Sequence, residues 1–230
     1  MVNSKKLDYS KKIVLKPWGE EYNIFSNQKK FAITYLKIKK NHTTSLHCHP
    51  NKKTGFLILS GTANVQLGIY KKNIKKFGPM SILVLREGLF HRISASKNKD
   101  LYALEVESPN IKTDLVRMDD DYGRKNKEYE KLDNTKEIKN NDLIFKIPKK
   151  KKNYYELNGV KISLAFYKSF NNFKNFDDKS VSIICDGSIV TNDGKDVIKT
   201  GEIVKSFTLK KLSKIYKINK KILILKANKV

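Results

Sequence analysis

All four histidines of this 230-residue chain fall between positions 42 and 91. His47 and His49 are separated by one residue and run into Pro50. On an extended strand, residues two apart point to the same face, so both imidazoles converge on one point. His91 follows Gly88 in EGLFHRIS, a turn leading into a new strand. Three imidazoles from two neighbouring strands suit a borderline divalent cation such as Zn, Mn, Fe or Ni. The same residues would otherwise line a metal-free pocket as hydrogen-bonding groups. His42, before Thr43 and Thr44, reads as an exposed loop residue. Cys48 lies between the two histidines and so points to the opposite face, which argues against a Cys–His nucleophile. The chain has no GxxxxGK(S/T) loop, no GxGxxG after a strand and no Cys-x-x-Cys pair.

The elements that must position these residues read as strands. Short runs rich in β-branched and aromatic residues occur at Phe31–Ile38, Gly55–Leu59, Ala63–Tyr70, Ser81–Leu85 and Leu101–Val106. They resume at Leu143–Ile147, Val160–Tyr167, Val181–Cys185, Glu202–Leu209 and Lys221–Lys226. Gly, Asn, Asp or Pro bounds many of them, and none carries a long 3.6-residue apolar stripe, so an all-β sandwich or barrel is expected. Between Gly123 and Asp142 the chain is almost wholly polar. The expected organisation is a histidine-bearing domain over 1–124, a charged connector over 125–142 and a second β domain over 143–230. The halves also resemble each other: LILSGTANV at 57–65 matches IICDGSIVT at 183–191, pairing Gly61 with Gly187. FGPMSILVL at 77–85 matches TGEIVKSF at 200–207, pairing Gly78 with Gly201, and LYALEVE at 101–107 matches KILILKA at 221–227. The second half has no histidine, so its expected role is structural.

Composition bounds the partners. The net charge is +25, yet only four of the 48 basic residues are arginines, and the lysines are spread along the whole chain. Nucleic-acid sites favour a focused, arginine-bearing patch, so nucleic acid is not the expected partner. Nor does any apolar run approach the roughly 20 residues of a membrane span, and the start MVNSKKLDYSKK has no apolar signal core. With two cysteines, Cys48 and Cys185, a reducing cytoplasm is the expected setting.

TTSLHCHPNKKTGFLILSG at 43–61 and GPMSILVLREGLFH at 78–91 resemble the two motifs of the cupins. KPWGEEY at 16–22, SGTANV at 60–65, YALEVESP at 102–109 and DLVRMDDDYGR at 114–124 narrow the match. Over about residues 14–124 the chain resembles the cupin domain of type II mannose-6-phosphate isomerases. That resemblance implies a double-stranded β-helix (jelly-roll) barrel, followed here by a degenerate cupin-like domain, a bicupin. It places the metal on His47, His49 and His91. The metal glutamate of the cupin pattern falls near Lys53 or Thr54 and is absent, and Arg86 replaces a motif proline. Glu105 or Glu107, two apart on the strand after His91, would share a face and offer a carboxylate.

The resemblance implies a metal-dependent isomerase or epimerase of a sugar phosphate or nucleotide sugar, set in surface-polysaccharide biosynthesis. Metal would polarise a carbonyl while a base moves the neighbouring proton. Glu105 and Lys53 are the catalytic candidates. Lys53, Arg92 and Arg117 are the candidates for binding substrate, with Tyr122 and Arg124 in the closing segment offering either sugar contacts or packing. Trp18 reads as a structural plug. A sugar-binding bicupin without turnover and a three-histidine dioxygenase are the alternatives. A homodimer that covers sheet edges is expected from the family.

Overall fold

The computed structural model describes Tyr9, residues 11–27 and residues 30–230. Most of the start read above for a signal core therefore lies outside the described residues. In the first half the strands are β1 (Lys12–Lys16), β2 (Gly19–Asn27), β3 (Phe31–Ile38), β4 (Leu46–Cys48), β5 (Lys53–Ser60) and β6 (Ala63–Leu67). They continue with β7 (Ile74–Phe77), β8 (Ile82–Leu85), β9 (His91–Ala95), β10 (Leu101–Ser108), β11 (Val116–Asp119) and β12 (Thr135–Glu137). Their alternation of inward and outward residues closes two antiparallel sheets on each other. One runs β12-β1-β2-β3-β10-β5-β8 and the other β11-β4-β9-β6-β7, the expected cupin jelly roll.

The second half repeats this plan in reduced form. Its strands are β13 (Lys152–Leu157), β14 (Val160–Tyr167), β15 (Val181–Asp186), β16 (Ser188–Val190), β17 (Asp196–Lys199), β18 (Ile203–Lys205), β19 (Lys217–Ile218) and β20 (Ile222–Lys229). They form sheets β13-β14-β20-β15-β18 and β17-β16-β19. Strand pairing makes the repeat explicit. Leu57 faces Ile82 as Ile183 faces Ile203, and Leu101 faces Ile38 as Ile222 faces Tyr167. Gly61 and Gly187 occupy the same left-handed turn, with φ of 84° and 79°; a Cβ there would overlap the carbonyl of Asp100 or of Lys221.

Two of the sequence pairings shift. Met80, not Gly78, is the counterpart of Gly201: each donates its N–H at 2.8 Å, to Ile58 and to Ile184 respectively, and each has positive φ. Likewise Ile222, not Lys221, matches Leu101. The loop between β6 and β7 is longer than that between β16 and β17, and a gap placed elsewhere moves every later pairing.

Some segments differ from their sequence reading. Glu202–Leu209 is split: β18 ends at Lys205 and α1 (Ser206–Leu212) begins, with Ser206 and Leu209 buried one helical turn apart. A short apolar run fits either period. Leu143–Ile147 forms no strand; Phe145 donates its N–H to the Ile24 carbonyl at 2.8 Å and buries its ring. Residues 125–142, read as a connector, lie along the first barrel. β12 pairs with β1, and the Tyr9 hydroxyl donates to the Glu130 carbonyl at 2.5 Å.

Three apolar clusters hold the molecule together. One fills the upper part of the first barrel, around Trp18, Phe56 and Ile93. Another fills the second barrel, where Phe173, Phe176 and Leu209 occupy the space. They come from α1, a 3-10 helix (Phe170–Asn175) and the residue that caps it, which stand where the first half has the histidine-bearing ends of β4 and β9. The largest lies between the halves: Ile33, Leu57, Leu104 and Val106 meet Ile162, Leu164, Ile183 and Leu225. Full burial of each such side chain contributes roughly 1.5–3 kcal/mol. Among the described residues no helix is long and apolar enough to cross a membrane.

Candidate metal centre and its charged cavity

His47 on β4 pairs directly with His91 on β9, and His49 follows two residues on. The ring centroids lie 4.4 Å (His47–His91), 5.0 Å (His47–His49) and 5.4 Å (His49–His91) apart. One nitrogen from each ring falls within 4.8 Å of the others. Backbone carbonyls fix which nitrogen that is. Nδ1 of His47 lies 2.9 Å from the Ser45 carbonyl, Nδ1 of His91 3.0 Å from that of Leu89, and Nδ1 of His49 2.7 Å from that of Asp114. Each contact places the proton on Nδ1 and leaves the Nε2 lone pair free. Nε2 of His49 and of His91 are buried without a hydrogen-bond partner.

Burial, reinforced by neighbouring cations, keeps these rings neutral. His47 lies well below the usual histidine range, through burial and then His91 and His49. Burial and Lys52 take His49 to about 3, and burial takes His91 to about 4. Three neutral imidazoles with convergent lone pairs, two of them buried without a partner, form a donor set that suits a divalent metal. Among the described residues no carboxylate belongs to the cluster. Thr54, at the position expected for one, faces Glu107 across the β5–β10 ladder, with its hydroxyl buried and unpaired.

The histidines open onto a cavity of about 60 Å³ inside the first barrel. Its lining includes Glu105 and Glu107, which β10 presents on one face. Glu107 is clamped by Lys52 at 2.5 Å, Lys112 at 2.6 Å and the Thr34 hydroxyl at 2.8 Å. Burial opposes its charge, but Lys112 and Lys52 outweigh burial and hold the carboxyl well below the ordinary range. Glu105 has no such clamp. Burial first, then Glu107 and Glu21, push it up to about 8, so it is protonated at neutral pH.

The other candidates separate. Arg117 lines the cavity, but its guanidinium is engaged by the Lys127 and Glu128 carbonyls and by Glu130 at 3.0 Å. Arg124 also lines it, bonded to Glu130 at 2.6 Å and Asp120 at 2.7 Å. Trp18 is a buried part of the wall. Two candidates point elsewhere. Lys53 stands one residue from Lys52 and so on the other face of β5, where Glu202 of the second half takes it at 2.7 Å. Arg92 follows His91 and leaves the barrel, held by Asp119 at 3.1 Å and Asp121 at 3.4 Å. His42 is outside as well, stacked on Tyr122. Sequence reading missed Lys16, Glu21, Lys112, Tyr129 and Glu130. Lys16 lies within the PWG segment, but nothing in the sequence ties Glu130 to it.

Known proteins place this site in a family. A stretch of 117 residues is 28% identical to the xanthan biosynthesis protein XanB of Xanthomonas campestris pv. campestris, covering 48% of this chain and 23% of that protein. The chain thus spans under a quarter of the length of that relative. Among solved structures, KdgF from Halomonas sp. aligns with a TM-score of 0.38 at 14% identity, over 42% of this chain and 85% of that one. The capsular polysaccharide assembling protein CapF from Staphylococcus aureus gives 0.41 at 14%, over 51% and 34%. A cupin-2 domain from Rhodospirillum rubrum gives 0.35 at 17%, over 39% and 58%. Residues 3–120, just over half the chain, match the family described as mannose-6-phosphate isomerase C-terminal, and the chain belongs to that family.

Proposed function

We propose that this protein is a metal-dependent cupin enzyme that isomerises or epimerises a sugar phosphate or nucleotide sugar in surface-polysaccharide biosynthesis. The observation that carries the reading is the set of three neutral imidazoles, each tied through Nδ1 to a carbonyl and each turning Nε2 inward. We assign His47, His49 and His91 to the metal. A bound divalent ion would supply Lewis acidity at a substrate carbonyl. Glu105, facing the cavity without an ion-pair partner and with its carboxyl pushed up to about 8, is the group we assign to the proton: its ionised form would accept the proton next to the carbonyl and its carboxyl would return that proton to the neighbouring carbon. Lys52 and Lys112 neutralise Glu107 and add positive charge beside the histidines. Lys53 and Arg92, held outside the cavity by carboxylates, have no part in this assignment. The family and the name of the xanthan relative support the sugar class and the polysaccharide setting.

The test is elemental analysis of the purified chain beside a His47→Ala/His49→Ala variant, followed by proton NMR of mannose 6-phosphate in D2O. Near-stoichiometric metal lost in the variant is expected, with solvent deuterium entering next to the carbonyl carbon. Deuterium entry should fall at least a hundredfold in Glu105→Gln, within the roughly 10²–10⁴-fold range of general acid–base catalysis. Absence of metal even after reconstitution would defeat the proposal. One observation favours a second reading, a sugar-binding bicupin: Thr54 stands where the fourth, carboxylate ligand is expected. Metal and sugar binding without exchange for any sugar phosphate or nucleotide sugar tried would select it.

A further inference from the structure

The inner wall of the second barrel can be superposed on that of the first rung by rung. In the first barrel the cross-strand rungs of β2, β3 and β10 are Glu21–Leu36–Ala103, Asn23–Thr34–Glu105 and Ser26–Ala32–Glu107. In the second, the rungs of β13, β14 and β20 are Lys152–Ala165–Ile224, Tyr154–Ser163–Lys226 and Glu156–Lys161–Asn228. Glu21 and Glu105, two of the carboxylates facing the metal cavity, are thereby replaced by Lys152 and Lys226, and Glu107 by Asn228. The wall keeps its place in the fold and inverts its charge.

The wall is also open. Phe173, Phe176 and Leu209 fill only one end of the second barrel, and its facing sheet has three short strands. What remains is a groove of about 530 Å³ bordered by Lys152, Tyr154, Lys161, Ser163, Lys226 and Asn228, with Glu156 as the one carboxylate against three lysines. That volume is in the range of small-molecule sites, roughly 300–1,000 Å³. No ion pair meets Lys152, Lys161 or Lys226 among the described residues. Lys226 instead sits 4.4 Å over the Phe176 ring, and burial followed by Lys152 lowers its pKa. Tyr154 leaves 74% of its surface exposed beside these ammonium groups, and the Asn228 side-chain oxygen is buried without a partner. Unpaired cations on a concave wall attract an anion, an exposed phenol ring offers a stacking face, and a hydroxyl and an amide fix orientation.

We propose that this groove is a second ligand site, specific for a phosphate-bearing ring compound, a sugar phosphate or a nucleotide, and separate from the metal cavity. The site stands whether or not the first barrel is an enzyme. Isothermal titration of the full chain with inorganic phosphate, mannose 6-phosphate and GDP tests it, in wild type and three variants. These are Lys152→Gln/Lys226→Gln in the groove, Lys199→Gln on the facing sheet and His47→Ala/His49→Ala in the first barrel. The expected result is binding of one ring compound at roughly 1 mM or tighter in low salt. That affinity should fall at least tenfold in the groove variant and persist in the other two. Tyr154→Ala should weaken the ring compound and leave inorganic phosphate unchanged. Undiminished binding in the groove variant, loss of binding with the histidine pair, or no binding of any probe would overturn the proposal. Mannose 6-phosphate bound in preference to GDP identifies a sugar phosphate, and the reverse a nucleotide.

Discussion

Lys52 and Lys53 are adjacent and chemically identical, yet their ammonium groups end in different worlds. Lys52 is 2% exposed and holds Glu107 inside the barrel, while Lys53 reaches outward to Glu202. In the sequence Pro50–Gly55 reads as a loop, where no strand parity tells the two lysines apart; the structure starts β5 at Lys53 and buries Lys52. Lys52→Met strands a buried carboxylate with one partner fewer and should cost about 3 kcal/mol. Lys53→Ala breaks a half-exposed pair and should cost less than about 1 kcal/mol. Urea midpoints of the two variants measure the difference, and equal losses would contradict the assignment. Glu105 makes a prediction about pH. Its carboxyl is raised from 4.5 to about 8, so between those values the folded chain keeps a proton that the unfolded chain has released. Stability should therefore fall as pH rises through that window, by up to about 1.4 kcal/mol per pH unit from this group. Glu105→Gln should flatten the slope and be more stable than wild type at pH 8. Glu107 has the opposite sign: Lys112 and Lys52 depress it despite burial, so its contribution is present above 4.5 and lost as the solution becomes more acid.

At the scale of elements, the left-handed turns after β5 and β15 carry the repeat. Gly187 has φ of 79° and no room for a Cβ against the Lys221 carbonyl, whereas Gly159 has φ of 76° with nothing within 4 Å. Gly159→Ala should cost only the left-handed strain, about 1–2 kcal/mol. Gly187→Ala adds a backbone clash and should cost clearly more, read as a larger drop in unfolding midpoint with the slope unchanged. Similar losses at both sites would mean that the turn relaxes freely. Gly61 and Gly187 were legible in the sequence because turn chemistry is local. The three histidines were legible for the same reason, since strand alternation and one turn suffice to bring them together. The network behind them was not. Lys16 meets Glu130 across 114 positions, and Arg117 meets the Lys127 carbonyl within a polar stretch whose composition suggested a solvated connector. No periodicity marks such contacts, because only closure of the barrel creates them. In the second half the run from Glu202 to Leu209 is too short for either period to prevail, so the helix that plugs the barrel was read as strand.

At the scale of the whole molecule, the largest apolar cluster belongs to neither half alone. Leu57, Leu104 and Val106 present one side of it and Leu225, Ile183 and Leu164 the other, so each barrel serves as the other's buried face. A chain joined this way should unfold as one unit, since separating the barrels exposes the cluster on both. Trp18, the only tryptophan, sits in the wall of the first barrel and reports that barrel alone. Leu225→Ala, on β20 in the second half and fully buried, should cost about 2–5 kcal/mol. If the halves are one cooperative structure, the Trp18 fluorescence midpoint should move by the same amount as the far-ultraviolet circular dichroism midpoint. A Trp18 transition that stays in place while the dichroism splits would show two independent domains. The first outcome also gives the second barrel a consequence for the chemistry of the first. Because β10 carries Glu105 and Glu107 on one face and Leu104 and Val106 on the other, loosening the shared core loosens the strand that lines the histidine cavity. If the three histidines hold a metal as proposed, the Leu225→Ala chain should then release it at a lower urea concentration than wild type, in step with the fluorescence and not before it.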